Sequence, residues 1–169
     1  GDHGVVAEGV SAYPQDATPA MVMNFLAGGA AINVLARHGG AEVVVLDAGV
    51  AADLPPNPAL RSVKVGKGTA NMAVGPAMTR EQAIQCLETG IKTAQELIEG
   101  GTDLIACGDM GIGNTTPSSA ITAVVTGTEP SVTTGRGTGL VDEALANKIS
   151  VVRRALEVNQ PNSKDGLDI

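Results

Sequence analysis

Two glycine-rich turns carry most of the residues whose types and spacing could do chemistry. "GDMGIGNTTPSSA", Gly108 to Ala120, sets three glycines and Asp109 directly after the apolar run Leu104–Cys107, where a helix should begin. "TGRGTG", Thr134 to Gly139, adds Arg136 and precedes a helical stretch that carries Lys148. Glycine lets the backbone come close to a ligand, and unpaired amides at a helix N-terminus favour an anion. A phosphate between the two turns, with Arg136 and Lys148 as cations, is one reading. A strand-to-helix turn that needs glycine for its geometry alone is the other, and these residues by themselves support both.

Further polar residues fall at strand ends, where ligands of open parallel sheets bind. Asp47 follows "VVVL", Asp109 follows "LIAC", and Asp2 and His3 join them if a strand precedes Gly1. These are acceptable metal-ligand types, yet they lie far apart in sequence and each aspartate serves equally well as a cap or turn residue, so the expectation is no metal. His3 reads first as a turn residue, and His38 as a residue favoured by the end of a helix. The named nucleotide motifs do not fit. "GKGTAN" and "GIGNTT" lack the third glycine of the dinucleotide fingerprint, and Lys67 lacks the upstream glycine and following Ser/Thr of a P-loop.

The elements that must position these residues can be read from periodicity and caps. Thr18-Pro19 predicts an N-cap and first helical position, with a helix to about His38 along Val22, Phe25, Leu26, Ala30, Val34 and Leu35. "AEVVVLDAGV" is a continuous β-branched run suited to a strand buried on both faces, and "RSVKV" a short strand. Thr79 with Gln82 forms a capping box that opens a helix to about Glu99, closed by Gly100-Gly101. "TDLIAC" predicts the next strand, Ser118 to Thr126 a helix, and Val141 to Val158 the last helix. Strands alternating with helices give an α/β fold, a parallel sheet flanked by helices, in one domain over residues 1–169.

Composition narrows the partners. The 169 residues include one Tyr, one Phe and no Trp, so the core must be aliphatic and alanine-rich. A net charge of −7 with no basic run argues against a nucleic-acid surface, and any anion must be met locally. No apolar stretch is expected to reach the roughly 18 residues of a membrane span, and no signal-peptide pattern is visible, so a soluble cytoplasmic protein is expected. Cys86 and Cys107 read as two buried free thiols. The chain opens without an initiator Met, as a fragment would.

Several stretches in order go beyond composition: "GDHGVVAEGVSAYPQ", "FLAGGAAINVLAR", "GTANMAVGPAMTREQA", "GDMGIGNTTPSSA", "GRGTGLVDEALANKISVVRRAL" and "NQPNSKDGLDI". Together they resemble the nicotinate-nucleotide–dimethylbenzimidazole phosphoribosyltransferases over essentially the whole chain. The resemblance implies transfer of a 5-phosphoribosyl group from nicotinate mononucleotide to 5,6-dimethylbenzimidazole in cobalamin biosynthesis, with no cofactor and no metal. It implies a Rossmann-like three-layer large domain, truncated at both ends, with the family's small domain mostly absent and a homodimer in the full-length protein. Tyr13, Met21, Met110 and Ile112 match positions near the aromatic base. Gly111, Gly113, Asn114 and Thr115, together with Gly135, Arg136, Gly137, Thr138, Gly139 and Lys148, match the ribose and phosphate side. Asp109 stands where the family usually has glutamate, and the family's principal catalytic glutamate would lie beyond Ile169. The alternatives are a non-catalytic phosphoribosyl-nucleotide-binding core and a metal-dependent hydrolase built on the strand-end aspartates.

Overall fold

A computed structural model describes residues 1–169. A 3₁₀ turn, Gly4–Glu8, precedes α1 (Ala17–Leu26) and α2 (Ala31–Gly39); β1 (Val45–Asp47) and β2 (Leu60–Ser62) follow. Then come α3 (Arg80–Glu99), α4 (Thr115–Thr126), the short α5 (Pro130–Thr133) and α6 (Asp142–Asn159). The two strands pair in parallel, with Val45 opposite Leu60 and Asp47 opposite Ser62. The parallel α/β expectation therefore holds, with a small sheet flanked by helices. Its core is aliphatic: Val5, Val10, Met72, Ala73, Ala120, Val151, Val152 and Ala155 pack together, joining the N-terminal turn to α4 and α6.

Local signals were the dependable ones. The Thr79 hydroxyl accepts from the Gln82 amide at 3.2 Å, and the Gln82 side chain accepts from the Thr79 amide at 2.9 Å, so the capping box opens α3 as expected. Asp47 ends β1, and its Oδ1 accepts from the amides of Gly49 and Val50. Lys64 Nζ stands 3.2 Å from the other Asp47 oxygen, which leaves that carboxylate fully engaged in the turn after the strand.

The first helix is shorter than expected. The chain breaks between α1 and α2, where Gly28 has φ +74 and the Asn33 side chain accepts from the Ala30 amide while donating to the Phe25 carbonyl. An 18-residue window within Ala17–Gly39 has a mean hydropathy of 1.5, a longer apolar stretch than the sequence reading expects. The break divides Ala17–Gly39 into helices of 10 and 9 residues. Thr18 is not the N-cap either. Asp16 takes that position, and Thr18 lies in the first turn of α1 with its hydroxyl fully buried.

The strand expected at "TDLIAC" is absent. Residues 102–107 form no ladder within this chain, and Leu104 is 86% exposed. A strand needs a partner as well as a suitable sequence, and no described segment supplies one. Cys107 is consequently exposed and Cys86 only half-buried, so neither thiol is buried as expected. The β-branched run before Asp47 likewise pairs only over Val45–Asp47.

The glycines of the quoted turn mostly serve close backbone packing. A Cβ on Gly111 would overlap the Gly1 carbonyl, and one on Gly113, at φ +87, would come 2.6 Å from Val6 Cγ2. Gly113→Ala should therefore lower stability by about 1–3 kcal/mol through overpacking, with a further ~1–2 kcal/mol from the left-handed backbone. Gly90, inside α3 with nothing within 4 Å of an added Cβ, is the counterpart. Gly90→Ala should stabilise by about 0.5–1 kcal/mol. Urea midpoints of the two variants beside the parent chain check both signs.

Candidate active site

Beside the sheet, the loop after the 3₁₀ turn, α1, the 110–115 turn, the 136–140 turn and α6 enclose a cleft of about 740 Å³. One end is apolar. Tyr13, Met21, Met110 and Ile112 line it, and Ala17 and Ala20 add to the wall on α1. The spacing of Ala17, Ala20 and Met21 puts all three on one helical face. That periodicity could have revealed the two alanines in the sequence, whereas Val10, Ser11 and Leu140 carried no comparable signal.

The other end is built around Lys148. Its side chain is 1% exposed, and its Nζ donates to Thr115 Oγ1 at 2.6 Å without any carboxylate partner. Burial pushes the ammonium below the usual lysine range, because the surroundings solvate the charge less well than water does. Gly137, at φ +55, lies directly over this pair: an added Cβ would stand 3.2 Å from Thr115 Oγ1 and 3.5 Å from Lys148 Nζ. The amides of Gly135, Arg136, Gly137 and Thr138 find no acceptor within the chain. A buried ammonium with no carboxylate partner, beside a run of free amides, is an arrangement that can hold an anion.

Most of the residues expected at the site meet in this one cleft. Gly111, Gly113, Asn114, Thr115, Arg136, Gly137, Thr138 and Lys148 line it with Tyr13, Met21, Met110 and Ile112. Gly135 and Gly139 flank the turn without lining the cleft. Arg136 is committed elsewhere: Nη1 donates to the Leu140 carbonyl at 2.8 Å and Nη2 pairs with Asp142, so its guanidinium braces its own turn. Asp109 does not line the cleft. Its Oδ2 lies 3.4 Å from His3 Nε2, an ion-pair distance without hydrogen-bond alignment, and half of its side chain is exposed. The strand-end aspartates are engaged by different donors: Asp2 by the Thr18 hydroxyl and the Ala51 amide, Asp47 by the amides of Gly49 and Val50 in its own turn.

A family model described as Phosphoribosyltransferase matches residues 1–169. The nicotinate-nucleotide–dimethylbenzimidazole phosphoribosyltransferase of Chloroflexus aggregans is 57% identical over 99% of this chain and 48% of its own length. The enzyme of the same name from Desulforamulus reducens is 56% identical over all of this chain and 48% of its own. Among solved structures, CobT from Thermus thermophilus superposes with a TM-score of 0.89 at 54% identity, over 92% of this chain and 47% of that one. The chain spans about half the length of the curated relatives it matches.

The lowered Lys148 pKa makes a signed prediction. The folded state holds this proton less tightly than the unfolded state, so it is destabilised below the folded pKa. The penalty fades as pH rises from that value toward the unfolded value near ~10.4. Lys148→Met should be the more stable chain at neutral pH, by an amount that shrinks as pH rises through this window. Paired urea titrations between neutral pH and pH ~10 measure the difference and cancel groups common to both chains.

Proposed function

This chain belongs to the phosphoribosyltransferase family whose members are named for nicotinate nucleotide and dimethylbenzimidazole, and from that premise we propose that its cleft holds a phosphoribosyl nucleotide beside an azole base. The proposed reaction of the whole protein is transfer of the 5-phosphoribosyl group from nicotinate mononucleotide to 5,6-dimethylbenzimidazole. Its products are α-ribazole 5′-phosphate and nicotinate. The observation that carries this reading is the polarity of the cleft, with apolar walls at Tyr13, Met21, Met110 and Ile112 and an unpaired buried Lys148 at the other end.

The chemistry follows from that division. The phosphate is held by Lys148 and the free amides of the 135–138 turn, and the ribose lies along Gly111–Thr115. The pyridinium nitrogen of the mononucleotide becomes neutral as it leaves, so the departing base needs little help. The azole attacks C1′ through its bare nitrogen from the opposite face, which inverts that carbon and gives the α-linkage. Its other nitrogen then gives up a proton to a base. Asp109 is poorly placed to take that proton, because its carboxylate faces His3 outside the cleft. That geometry favours a second reading for these residues taken alone, a core that binds the nucleotide without turning it over.

Titration calorimetry with nicotinate mononucleotide tests the binding half. Lys148→Ala should weaken affinity by roughly 1.5–3 kcal/mol, the value of a hydrogen bond to a charged group. Unchanged affinity would remove Lys148 from the site. Turnover tests the other half, following α-ribazole 5′-phosphate by chromatography beside the Chloroflexus aggregans relative. Positioned general-base catalysis contributes roughly 10²–10⁴-fold, so residues 1–169 should turn over no faster than about a hundredth of the relative's rate. Comparable rates would assign the base to Asp109.

A further inference from the structure

The two walls of the apolar end come from segments far apart in sequence, α1 and the 110–112 turn, and one side chain joins them. Thr18 Oγ1 accepts from the Ile112 amide at 3.2 Å and donates to Asp2 Oδ1 at 2.6 Å. The other Asp2 oxygen accepts from the Ala51 amide at 2.8 Å. Thr18 is 0% exposed and Asp2 2%, so neither side chain has water as an alternative partner. Thr18 follows Ala17 and precedes Ala20 and Met21 on the wall helix, while Ile112 lies between Gly111 and Gly113 on the opposing wall.

We infer that Thr18 is a positioning residue that fixes the separation of the two walls, and thereby the fit of a planar aromatic base between them, with Asp2 orienting its hydroxyl. The inference rests on the phosphoribosyl-transfer reading above. A threonine hydroxyl has one proton to give, and the buried carboxylate claims it. The oxygen's lone pairs therefore remain for the Ile112 amide, and the direction of the whole chain of hydrogen bonds is set. Lys148 and Thr115 form their own contact at the far end and share no partner with it. Loosening Thr18 should disturb the base and spare the phosphate.

The test uses Thr18→Val, which keeps the shape and removes the hydroxyl, and Thr18→Ser, which restores the hydroxyl. Affinities for 5,6-dimethylbenzimidazole and for inorganic phosphate are measured by calorimetry on each, together with hydrogen exchange of the Ile112 amide. Thr18→Val should lose about tenfold or more in azole affinity, keep phosphate affinity within about twofold, and exchange the Ile112 amide faster; Thr18→Ser should return all three toward the parent. If Thr18→Val does not fold, Thr18→Ala makes the same comparison without a methyl against the carboxylate. Equal losses at both ends, or unchanged azole affinity with a faster-exchanging amide, would overturn the positioning role. A parent chain that binds neither azole nor phosphate would instead overturn the reading of the cleft, and this inference with it.

Discussion

A carboxylate buried without a cation has to be satisfied by hydrogen-bond donors, and the donors that reach Asp2 come from separate parts of the chain. Thr18 of α1 and the Ala51 amide bind its two oxygens, while its own backbone pairs with the Gly49 carbonyl and the Thr69 amide. Losing one such donor leaves a buried group unpaired, which costs about 1–3 kcal/mol and more for a charged one. The loop after β1, the 66–69 turn and α1 are therefore held in one arrangement by a single residue. The 110–115 turn joins them through the Thr18 oxygen. The walls that carry Met21 and Ile112 are joined by this arrangement.

Close backbone approach is the second half of the same constraint. Gly4 leaves no room for a Cβ, which would lie 2.6 Å from the Ala70 carbonyl carbon, and Gly111 and Gly113 press on Gly1 and Val6. The glycine richness of the 108–113 turn thus has a packing origin, and the turn's outer face is what lines the cleft. At the 135–139 turn the balance differs. Gly137 sits over Lys148 and Thr115, where its bare Cα leaves space at the charged end. One compositional signal covers two physical requirements, so the sequence alone could not decide between tight geometry and ligand approach.

What was legible in the sequence was local. The Thr79–Gln82 capping box and the glycines after Glu99 define α3 from neighbouring residues alone, and the helices from Thr115 and Asp142 were found within a few positions. What was not legible depends on distant partners. "TDLIAC" has the composition of a strand but no ladder here, and α3 buries none of its 20 residues, leaving Leu87, Ile91 and Ile98 more than half exposed. Thr18 looked like a cap because Ser and Thr favour that place. Its oxygen instead serves Asp2 and Ile112, sixteen and ninety-four positions away. The cleft's residues were recognised as a set through motifs in order. Their convergence belongs to the fold, and so does the removal of Asp109 and of the Arg136 charge from the cleft's business end.

The electrostatics of the cleft show how an acidic chain can still meet an anion. A net charge of −7 repels phosphate at a distance, yet salt screens exposed charges beyond about 8 Å at physiological ionic strength. Within that range the charged end is set by Lys148, whose hydrogen-bond partner is a neutral hydroxyl and whose charge no carboxylate compensates. Arg136, by contrast, spends its charge on Asp142 and contributes shape more than field. The desolvation that weakens Lys148's hold on its proton is partly offset when an anion enters, since the new partner favours the charged form again. In the proposed reading, an anion beside Lys148 relieves part of that burial penalty, and selection of the base is left to the apolar walls.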